Sequence, residues 1–362
     1  MGIKTNKIAL ACALLETCFL AWGPVANAQT TPSELVDLSL EDLLNIDVTS
    51  KDKDAKKNKW DIGYSYVQGS FGGYQIGTEN VSFDDVLFSP GEIRTNNNFP
   101  VVPTYISQHI QTVYVSYSFG KDMAVNLFVP HISQSTEHIS SVPGFSDFTL
   151  KSSGFGDIGV NLAKLVSVSE RSSIKGNVGV RIPTGSINET GDTPRNGSGT
   201  DERLPFTMQT GSGTLDLTGS VTYAKNTNAF TYGTTLRTTV RTGMNENGYR
   251  LGNSVGASIF GHFNKHYAFQ PGVQVYYRHI GRIEGEDASL KVPMAFPYPA
   301  SITNPLNYGG DKLGLTGMIK SCTDASCKIS FNAEYGGALY QNLNGIQPKK
   351  RNIFSIGAAL KF

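Results

Sequence analysis

Apolar and polar residues alternate along most of the chain after Trp60. In the segment 266–279, the odd positions Tyr267, Phe269 and Val273 are apolar, whereas the even positions Gln270 and Gln274 are polar. The segments 213–223 and 328–340 show the same alternation. A period of two places the two kinds of side chain on opposite faces of a β-strand. Twelve such segments are predicted, at 60–70, 106–119, 122–133, 154–166, 171–183, 213–225, 228–241, 250–262, 266–282, 310–320, 328–341 and 351–362.

The connections between these segments alternate in length. Short ones lie at 120–121, 167–170, 226–227, 264–265 and 321–327, and long ones at 71–105, 134–153, 184–212, 242–249, 283–309 and 342–350. A soluble β-sandwich has no reason to keep this order, whereas outer-membrane barrels have short turns at the periplasmic end and longer loops outside. The pattern therefore predicts an all-β, antiparallel, up-and-down transmembrane barrel of about 12 strands. We expect the loops 184–213 and 283–309 to fold inward or to cap the mouth.

Composition excludes several classes of protein. The chain has 39 glycines among 362 residues, and 17% of its residues are charged, against roughly 25% in an average soluble domain. No run of 18 apolar residues is present, which excludes a bundle of membrane-spanning helices. The 31 basic and 30 acidic residues nearly balance, so nothing favours a nucleic-acid partner.

The N-terminal region carries an export signal. Residues 1–28 combine Lys4 and Lys7, an apolar stretch and a small-residue cleavage site at 26–28, which is typical of a secretory signal peptide. Residues 29–59 predict a short amphipathic periplasmic helix followed by a charged linker, and the barrel domain covers 60–362. The helix either packs beneath the barrel or stays mobile, or it contacts an energy-coupling or periplasmic partner.

Two cysteines remain after the predicted cleavage, Cys322 and Cys327. An even count in an exported chain favours a disulfide. The four residues between them do not match a redox CxxC motif, so we expect a structural cross-link that closes a small turn.

Four stretches resemble one family of outer-membrane barrels. They are 154–165 (GFGDIGVNLAKL), 179–185 (GVRIPTG), 211–216 (GSGTLD) and 248–253 (GYRLGN). These stretches resemble strands of the family named for the MetA pathway of phenol degradation, which implies transport of small, in some cases aromatic, molecules. The segment around 38–50 resembles the stretch before the plug of TonB-dependent receptors. The terminal Phe362 after an alternating strand resembles the signal that the barrel-assembly machinery reads.

The alternation also predicts which side chains face the lumen. With apolar residues toward lipid, the lumen receives Asp157, Asn161, Lys175, Asn177, Arg181, Asp216, Arg237, Arg241, Gln270, Gln274, Arg278, Asn332 and Glu334. One interpretation is a basic constriction that selects anionic solutes, since rings of charge tune selectivity in pores. The other is that Asp157, Arg181, Asp216 and Arg237, on successive strands, pair with one another and fill a narrow barrel.

An enzymatic reading is weaker. His131-Ile-Ser133 resembles the His-x-Ser of outer-membrane phospholipase A, but Gln134-Ser135 stands where that enzyme has Asn-Gly, and no residue to orient the histidine is identifiable. We expect no enzyme, no cofactor and no metal site.

The sequence thus predicts a protein of the Gram-negative outer membrane that passes small, aromatic or anionic molecules. The alternatives are a non-conducting structural or adhesive barrel and, third, a surface lipolytic enzyme. The expected partners are outer-membrane lipid and lipopolysaccharide, the assembly machinery through Phe362, and a small-molecule solute.

Overall fold

The computed structural model describes residues 59–120, 122–195 and 200–362. The predicted signal peptide, the amphipathic helix and nearly all of the linker lie outside these residues. The described strands are β1 Lys59–Gly77, β2 Glu79–Val81, β3 Val101–Phe119, β4 Met123–Ser140, β5 Asp147–Phe155, β6 Ile158–Ser169, β7 Ser172–Ile182, β8 Thr190–Asp192, β9 Asp201–Arg203, β10 Leu215–Asn226, β11 Phe230–Thr242, β12 Tyr249–Arg250, β13 Ser254–Phe263, β14 Gln270–Ile280, β15 Glu284–Gly285, β16 Gly310–Cys322 and β17 Ile329–Lys361.

Helix is scarce in the described part of the chain. It consists of the one-turn helix α1 Phe83–Val86 and four 3₁₀ turns, Phe206–Met208, Ala288–Leu290, Ser301–Thr303 and Pro305–Asn307. None of the described helices is long and apolar enough to cross a membrane.

Eleven strands form a closed antiparallel ring. The order is β1, β3, β4, β6, β7, β10, β11, β13, β14, β16 and β17, and β17 pairs back with β1. Neighbours in the ring follow the chain, and β5 continues the wall above β6 by pairing with β4. Closure removes the free sheet edge and satisfies the backbone groups, as a bilayer demands. The all-β barrel predicted from the sequence is confirmed.

The strand β17 is a hairpin within one continuous element. Its first part pairs with β16, from Ser330 to Leu343, and its second part pairs with β1, up to Lys361. The two parts run side by side, since the Lys361 N–H donates to the Lys328 carbonyl at 2.9 Å. The chain reverses near Gly345, where a φ of 53° suits a glycine. The eleven-strand ring therefore contains twelve wall segments.

The wall is much taller on one side than on the other. The strands β1, β3 and β4 contain 19, 19 and 18 residues, and β17 contains 33 in its hairpin. We call β17, β1, β3, β4 and β5 the tall wall. The strands β7, β10, β11, β13, β14 and β16 contain only 10 to 13 residues, and we call them the short wall.

The two faces of the wall have opposite character. Outward side chains include the exposed Val113, Leu217, Leu236, Val275 and Leu315, whereas inward positions such as Thr112, Asn177, Thr235 and Asn332 are polar. This distribution agrees with the predicted alternation.

The long connections are shorter than predicted on the tall wall. The ranges 71–105, 134–153 and 342–350 were expected to be loops, but β1 continues to Gly77, β4 to Ser140, and 342–350 lies within β17. Polar residues in these ranges pair as strands that continue beyond the apolar belt, so the polar composition did not mark a loop. The short turns lie at one end of the barrel, called the turn end, and the remaining connections at the opposite, loop end.

Candidate functional site

Two loops fold into the loop end of the barrel. We call residues 204–214, between β7 and β10, and residues 286–309, between β14 and β16, the cap. Many cap side chains are buried, as the prediction of inward-folding loops requires: Leu204, Phe206, Thr207, Met208, Gln209, Thr210, Ser212, Leu290, Ala300, Ser301, Ile302, Thr303, Asn307 and Tyr308.

A row of three polar side chains on the tall wall holds the first cap segment. Gln108 on β3, Gln134 on β4 and Ser152 on β5 are register partners, and all three are buried. They donate hydrogen bonds to the backbone oxygens of residues 207, 209 and 208 at 3.3, 3.5 and 2.7 Å, respectively. Because buried backbone oxygens need partners, this row stabilises the inward conformation of the cap.

The second cap segment bonds to itself and to β1. Tyr308 donates its hydroxyl to the Ile302 carbonyl at 2.6 Å, and the hydroxyls of Tyr74 and Ser301 lie 3.2 Å apart. Burial raises the pKa of Tyr308, so its hydroxyl stays protonated and able to donate. The two cap segments meet where the rings of Phe206 and Tyr308 pack edge to face, with centroids 5.5 Å apart.

Asp157 ties both ends of the first loop to the wall. It lies at the break between β5 and β6, and its carboxylate accepts bonds from the Gly185 N–H at 3.0 Å and from the N–H and hydroxyl of Ser212 at 2.9 and 2.7 Å. Gly185 follows β7, and Ser212 precedes β10. The partners of Asp157 are therefore loop donors, and not the arginine that the filled-barrel interpretation predicted.

Arg181, Asp216 and Arg241 occupy one register row on β7, β10 and β11. The Asp216 carboxylate forms an ion pair with the Arg241 guanidinium and accepts a bond from the Thr214 hydroxyl at 2.7 Å. Arg181 interacts electrostatically with both Asp216 and Arg241. All three charged residues are buried. One carboxylate thus lies between two guanidinium groups.

A second row of basic residues crosses the short wall. Arg237 on β11 lies opposite Gly256 on β13, Gly256 opposite Arg278 on β14, and Arg278 opposite Lys312 on β16. A Cβ at Gly256 would lie 3.2 Å from the Arg237 Cγ, so the glycine leaves room for that side chain. The predicted pairing of Asp216 with Arg237 is wrong, because the register places Arg237 opposite Ser220 and Arg241 opposite Asp216.

Lys350 on β17 continues this row. It is buried, and the backbone of Lys350 is bonded to the side chain of Gln341, which is the register partner of Lys312. We call Arg181, Arg237, Arg241, Arg278, Lys312 and Lys350 the basic arc. Charge–charge interactions link Arg278 to both Arg181 and Arg237, and Arg181 to Arg241, so the four arginines of the arc influence one another.

Glu334 adds a negative charge nearer the turn end. It faces the lumen from β17, is half-buried, and interacts electrostatically with Arg237. The structure therefore brings seven of the thirteen predicted lumen residues, the charged Asp157, Arg181, Asp216, Arg237, Arg241, Arg278 and Glu334, into one interior. There the basic arc outweighs Asp157, Asp216 and Glu334 in charge.

The strands β3 and β4 of the tall wall present uncharged side chains at the corresponding positions. Tyr114 on β3 and Phe128 on β4 lie in the same register row as Arg181, with ring centroids 6.2 Å apart. Ile110 and Ile132, which are also register partners, are fully buried four residues along their strands toward the cap. The lumen thus has one basic side and one apolar side.

Sequence reasoning missed Lys312 and Lys350. The alternation of the strand 310–322 was the weakest in the chain, and 342–350 was interpreted as a loop. The inward position of Lys312 could have been found from its even spacing to Thr316 and Met318, which are also buried.

The remaining candidates lie away from the lumen. His131 and Ser133 are partly exposed on the outer face, and the His131 ring packs edge to face on Phe155 at 5.5 Å between centroids. Cys322 and Cys327 form the predicted disulfide at the turn end, with Cα atoms 4.9 Å apart. Within the described residues, no three His, Cys, Asp or Glu side chains come together as metal ligands.

Comparisons with known proteins give a fold but no family. No protein-family model and no curated protein matches the chain. The resemblance to the MetA-pathway family is therefore not confirmed, and the segment that resembled TonB-dependent receptors lies outside the described residues.

Solved structures with a similar fold are mostly channels and porins. The chain is similar to the COG4313 outer membrane channel from Pseudomonas putida F1, with a TM-score of 0.55 and 13% identity over 87% of this chain and 99% of that one. It also matches the transport unit of the autotransporter AIDA-I from Escherichia coli (TM-score 0.43, 11% identity, 92% and 99% covered). A Pseudomonas aeruginosa FadL homologue matches as well (TM-score 0.35, 11% identity, 84% and 89% covered). The first of these likenesses shows that the chain shares the β-barrel fold of that protein, and no enzyme family is indicated.

Proposed function

We propose that the protein is a gated channel of the Gram-negative outer membrane that passes small, preferentially anionic molecules. The observation that carries this proposal is a lumen lined by the basic arc and covered by a cap that is held by side-chain hydrogen bonds. An outward apolar belt around a polar interior is the arrangement of barrels that conduct solutes. The cap covers the loop end, so passage requires that the cap moves.

The charge of the lumen supports the preference for anions. Cationic side chains in a confined, low-dielectric passage raise the local concentration of anions and lower that of cations. Arg237 supports this role because it is only half-buried and faces the lumen near the middle of β11.

The test is the conductance of the refolded protein in planar bilayers, with residues 29–362 and with residues 60–362. A release variant carries Gln108→Leu, Gln134→Leu and Ser152→Ala, which removes the three donors to the first cap segment. A matched control carries Ser133→Ala, Ser135→Ala and Ser153→Ala on the outer face of β4 and β5. We expect brief openings in the unmodified protein and the control, and at least a several-fold higher open probability in the release variant.

Selectivity is measured from the reversal potential in a salt gradient. We expect an anion preference that Arg237→Ala and Arg278→Ala weaken. Absence of conductance in all variants, in protein shown to be folded, would overturn the channel. Conductance only without residues 29–59 would instead make that segment a plug.

The alternative of a non-conducting barrel rests on a specific observation as well. Next to the cap, the side chains on both sides of the barrel interior are buried, among them Ile110, Ile132 and Arg241. A permanently filled barrel would serve structure or adhesion. It predicts that the release variant is destabilised and still does not conduct.

A further inference from the structure

Tyr276 is a buried polar residue whose hydroxyl lacks a partner among the described residues. Its side chain faces the lumen from β14 and is 8% exposed, and its hydroxyl accepts or donates no hydrogen bond there. A buried hydroxyl without a partner carries a desolvation penalty that no hydrogen bond offsets. Such a group in a folded protein calls for an explanation, and one explanation is a ligand that the hydroxyl binds.

The position of Tyr276 is imposed by its neighbour. Tyr276 lies opposite Gly314 on β16, and its ring lies over that glycine, since a Cβ at Gly314 would overlap the ring and the hydroxyl. The ring therefore lies along the barrel wall instead of pointing across the lumen. This orientation directs the hydroxyl toward β16 and away from its own strand.

Three basic residues lie in the neighbourhood of this ring. Arg278 is two residues further along β14 and interacts electrostatically with Tyr276. Lys312, the register partner of Arg278, is two residues from Gly314. The Lys350 ammonium lies 5.7 Å from the ring centroid. All three basic side chains are buried, at 6%, 3% and 6% exposure.

We propose that Tyr276, Arg278, Lys312 and Lys350 form a specific binding site for an oxyanion group, a carboxylate or a phosphate, carried by the solute. An arginine fork and two ammonium groups bind such oxygens through charge-assisted hydrogen bonds. The phenol hydroxyl adds a neutral donor, which an oxygen of the anion can accept. The site rests on the proposed function, because it names the chemical group that the channel recognises. It also assigns part of the basic arc to a localised binding site for the solute, in addition to its general attraction of anions.

The site is tested by binding, independently of conductance. The refolded full chain in detergent micelles is unfolded with urea at constant ionic strength in sodium chloride, sodium acetate or sodium phosphate. A ligand that binds only the folded state raises the unfolding midpoint as its concentration exceeds the Kd. We expect saturable stabilisation by acetate, by phosphate or by both, and none by chloride.

Three variants locate the site. Tyr276→Phe keeps the ring and removes the hydroxyl, and we expect about tenfold weaker binding. Lys312→Met removes one charge, and we expect a larger loss. Lys320→Met is the matched control, since it lies on the same strand, eight residues nearer the turn end, and interacts with other groups. We expect it to leave binding within about twofold.

Each outcome decides the proposal. Equal stabilisation by chloride, or equal loss in Lys312→Met and Lys320→Met, would show only general screening and overturn the site. Stabilisation by phosphate alone assigns the site to phosphate groups, and stabilisation by acetate assigns it to carboxylates. Binding without conductance keeps the site and removes the channel, and conductance without binding does the reverse.

Discussion

The tall wall and the short wall of this barrel differ in what they present to the lumen, although both present apolar residues to the outside. A single register row passes through both. On the tall wall it contains Tyr114 and Phe128, and on the short wall it contains Arg181, Asp216 and Arg241. The outer face is constrained by lipid in the same way all round. The inner face is not, and the two sides have separate roles.

The difference extends to the cap. The tall wall supplies the side chains that hold it, from Gln108, Gln134 and Ser152, and the extra strand length that reaches it. The short wall supplies the two long loops that form it and most of the basic arc. One side of the barrel therefore provides the support, and the other provides the moving part and the charge.

The largest expected losses of stability come from the register row that both walls share, where the tall wall contributes apolar packing and the short wall an ion pair. Asp216→Ala leaves Arg241 buried without its ion-pair carboxylate, and we expect the free energy of unfolding to fall by about 3–5 kcal/mol. Phe128→Ala on the tall wall should cost a similar amount, because it removes a fully buried ring. Urea unfolding of the refolded protein measures both.

The two variants should differ in rescue. A second change, Arg241→Met, should restore part of the loss in Asp216→Ala, since it removes one of the two guanidinium groups that this variant leaves without the Asp216 carboxylate. It should not restore Phe128→Ala. Equal behaviour of the two double variants would contradict the division between an apolar and an ionic side.

The next effect concerns the anchor of the cap. Asp157→Ala removes the acceptor of three hydrogen bonds at the base of the first loop, and we expect a loss of about 1–3 kcal/mol together with more frequent channel openings. Single-channel recording checks the openings. Asp147→Ala, on an exposed position of β5, is the control and should leave both quantities unchanged.

A comparable packing device occurs on both sides, and here the walls should behave alike. Tyr114 lies over Gly63 on the tall wall as Tyr276 lies over Gly314 on the short wall. Gly63→Ala and Gly314→Ala should each lower the free energy of unfolding by about 1–3 kcal/mol through overpacking. Urea unfolding at high and low salt checks that neither loss depends on ionic strength. A salt dependence confined to Gly314→Ala would show that the basic arc is displaced with the ring.

The smallest effect is a pH dependence in the cap. Hydrogen bonds from Lys291 at 2.7 Å and from Tyr298 at 2.8 Å lower the pKa of Glu286 below its ordinary value of 4.5. A depressed folded-state pKa contributes stability above the unfolded pKa and loses it as the pH falls through the folded one. Because Glu286 is exposed, we expect well under 1 kcal/mol. The urea midpoint of unfolding should fall less steeply at acidic pH in Glu286→Gln than in the unmodified protein. An unchanged pH dependence would show that other groups cause the loss of stability in acid.

The sequence predicted the wall better than the interior. Alternation located every strand of the ring, because each outward position must be apolar in lipid and each short turn must reverse the chain. The same alternation predicted that Arg181, Asp216 and Arg278 face the lumen. The partners within the lumen did not follow, since pairing depends on register: a shift of four positions decides whether Asp216 meets Arg237 or Arg241.

The cap and the tall wall were harder still. Whether the polar range 134–153 forms a loop or a strand depends on pairing with residues far away in the chain, and local composition does not contain that information. The inward fold of the loops was expected. The side chains that anchor the first loop, Gln108, Gln134 and Ser152, could not be singled out, because they alternate along their strands in the same way as every other lumen-facing residue.

The closing seam has a consequence for biogenesis. The register joins Asp61 to Lys361, and the Phe362 N–H donates to the Trp60 carbonyl at 2.8 Å, so the first and last wall segments meet only when the final residues exist. Contacts of such high sequence separation form slowly, because the closure entropy of the whole chain is lost before they contribute. The chain must be synthesised through its last wall segment before the ring can close. Until then β1 is an open sheet edge, which can pair with another chain and aggregate.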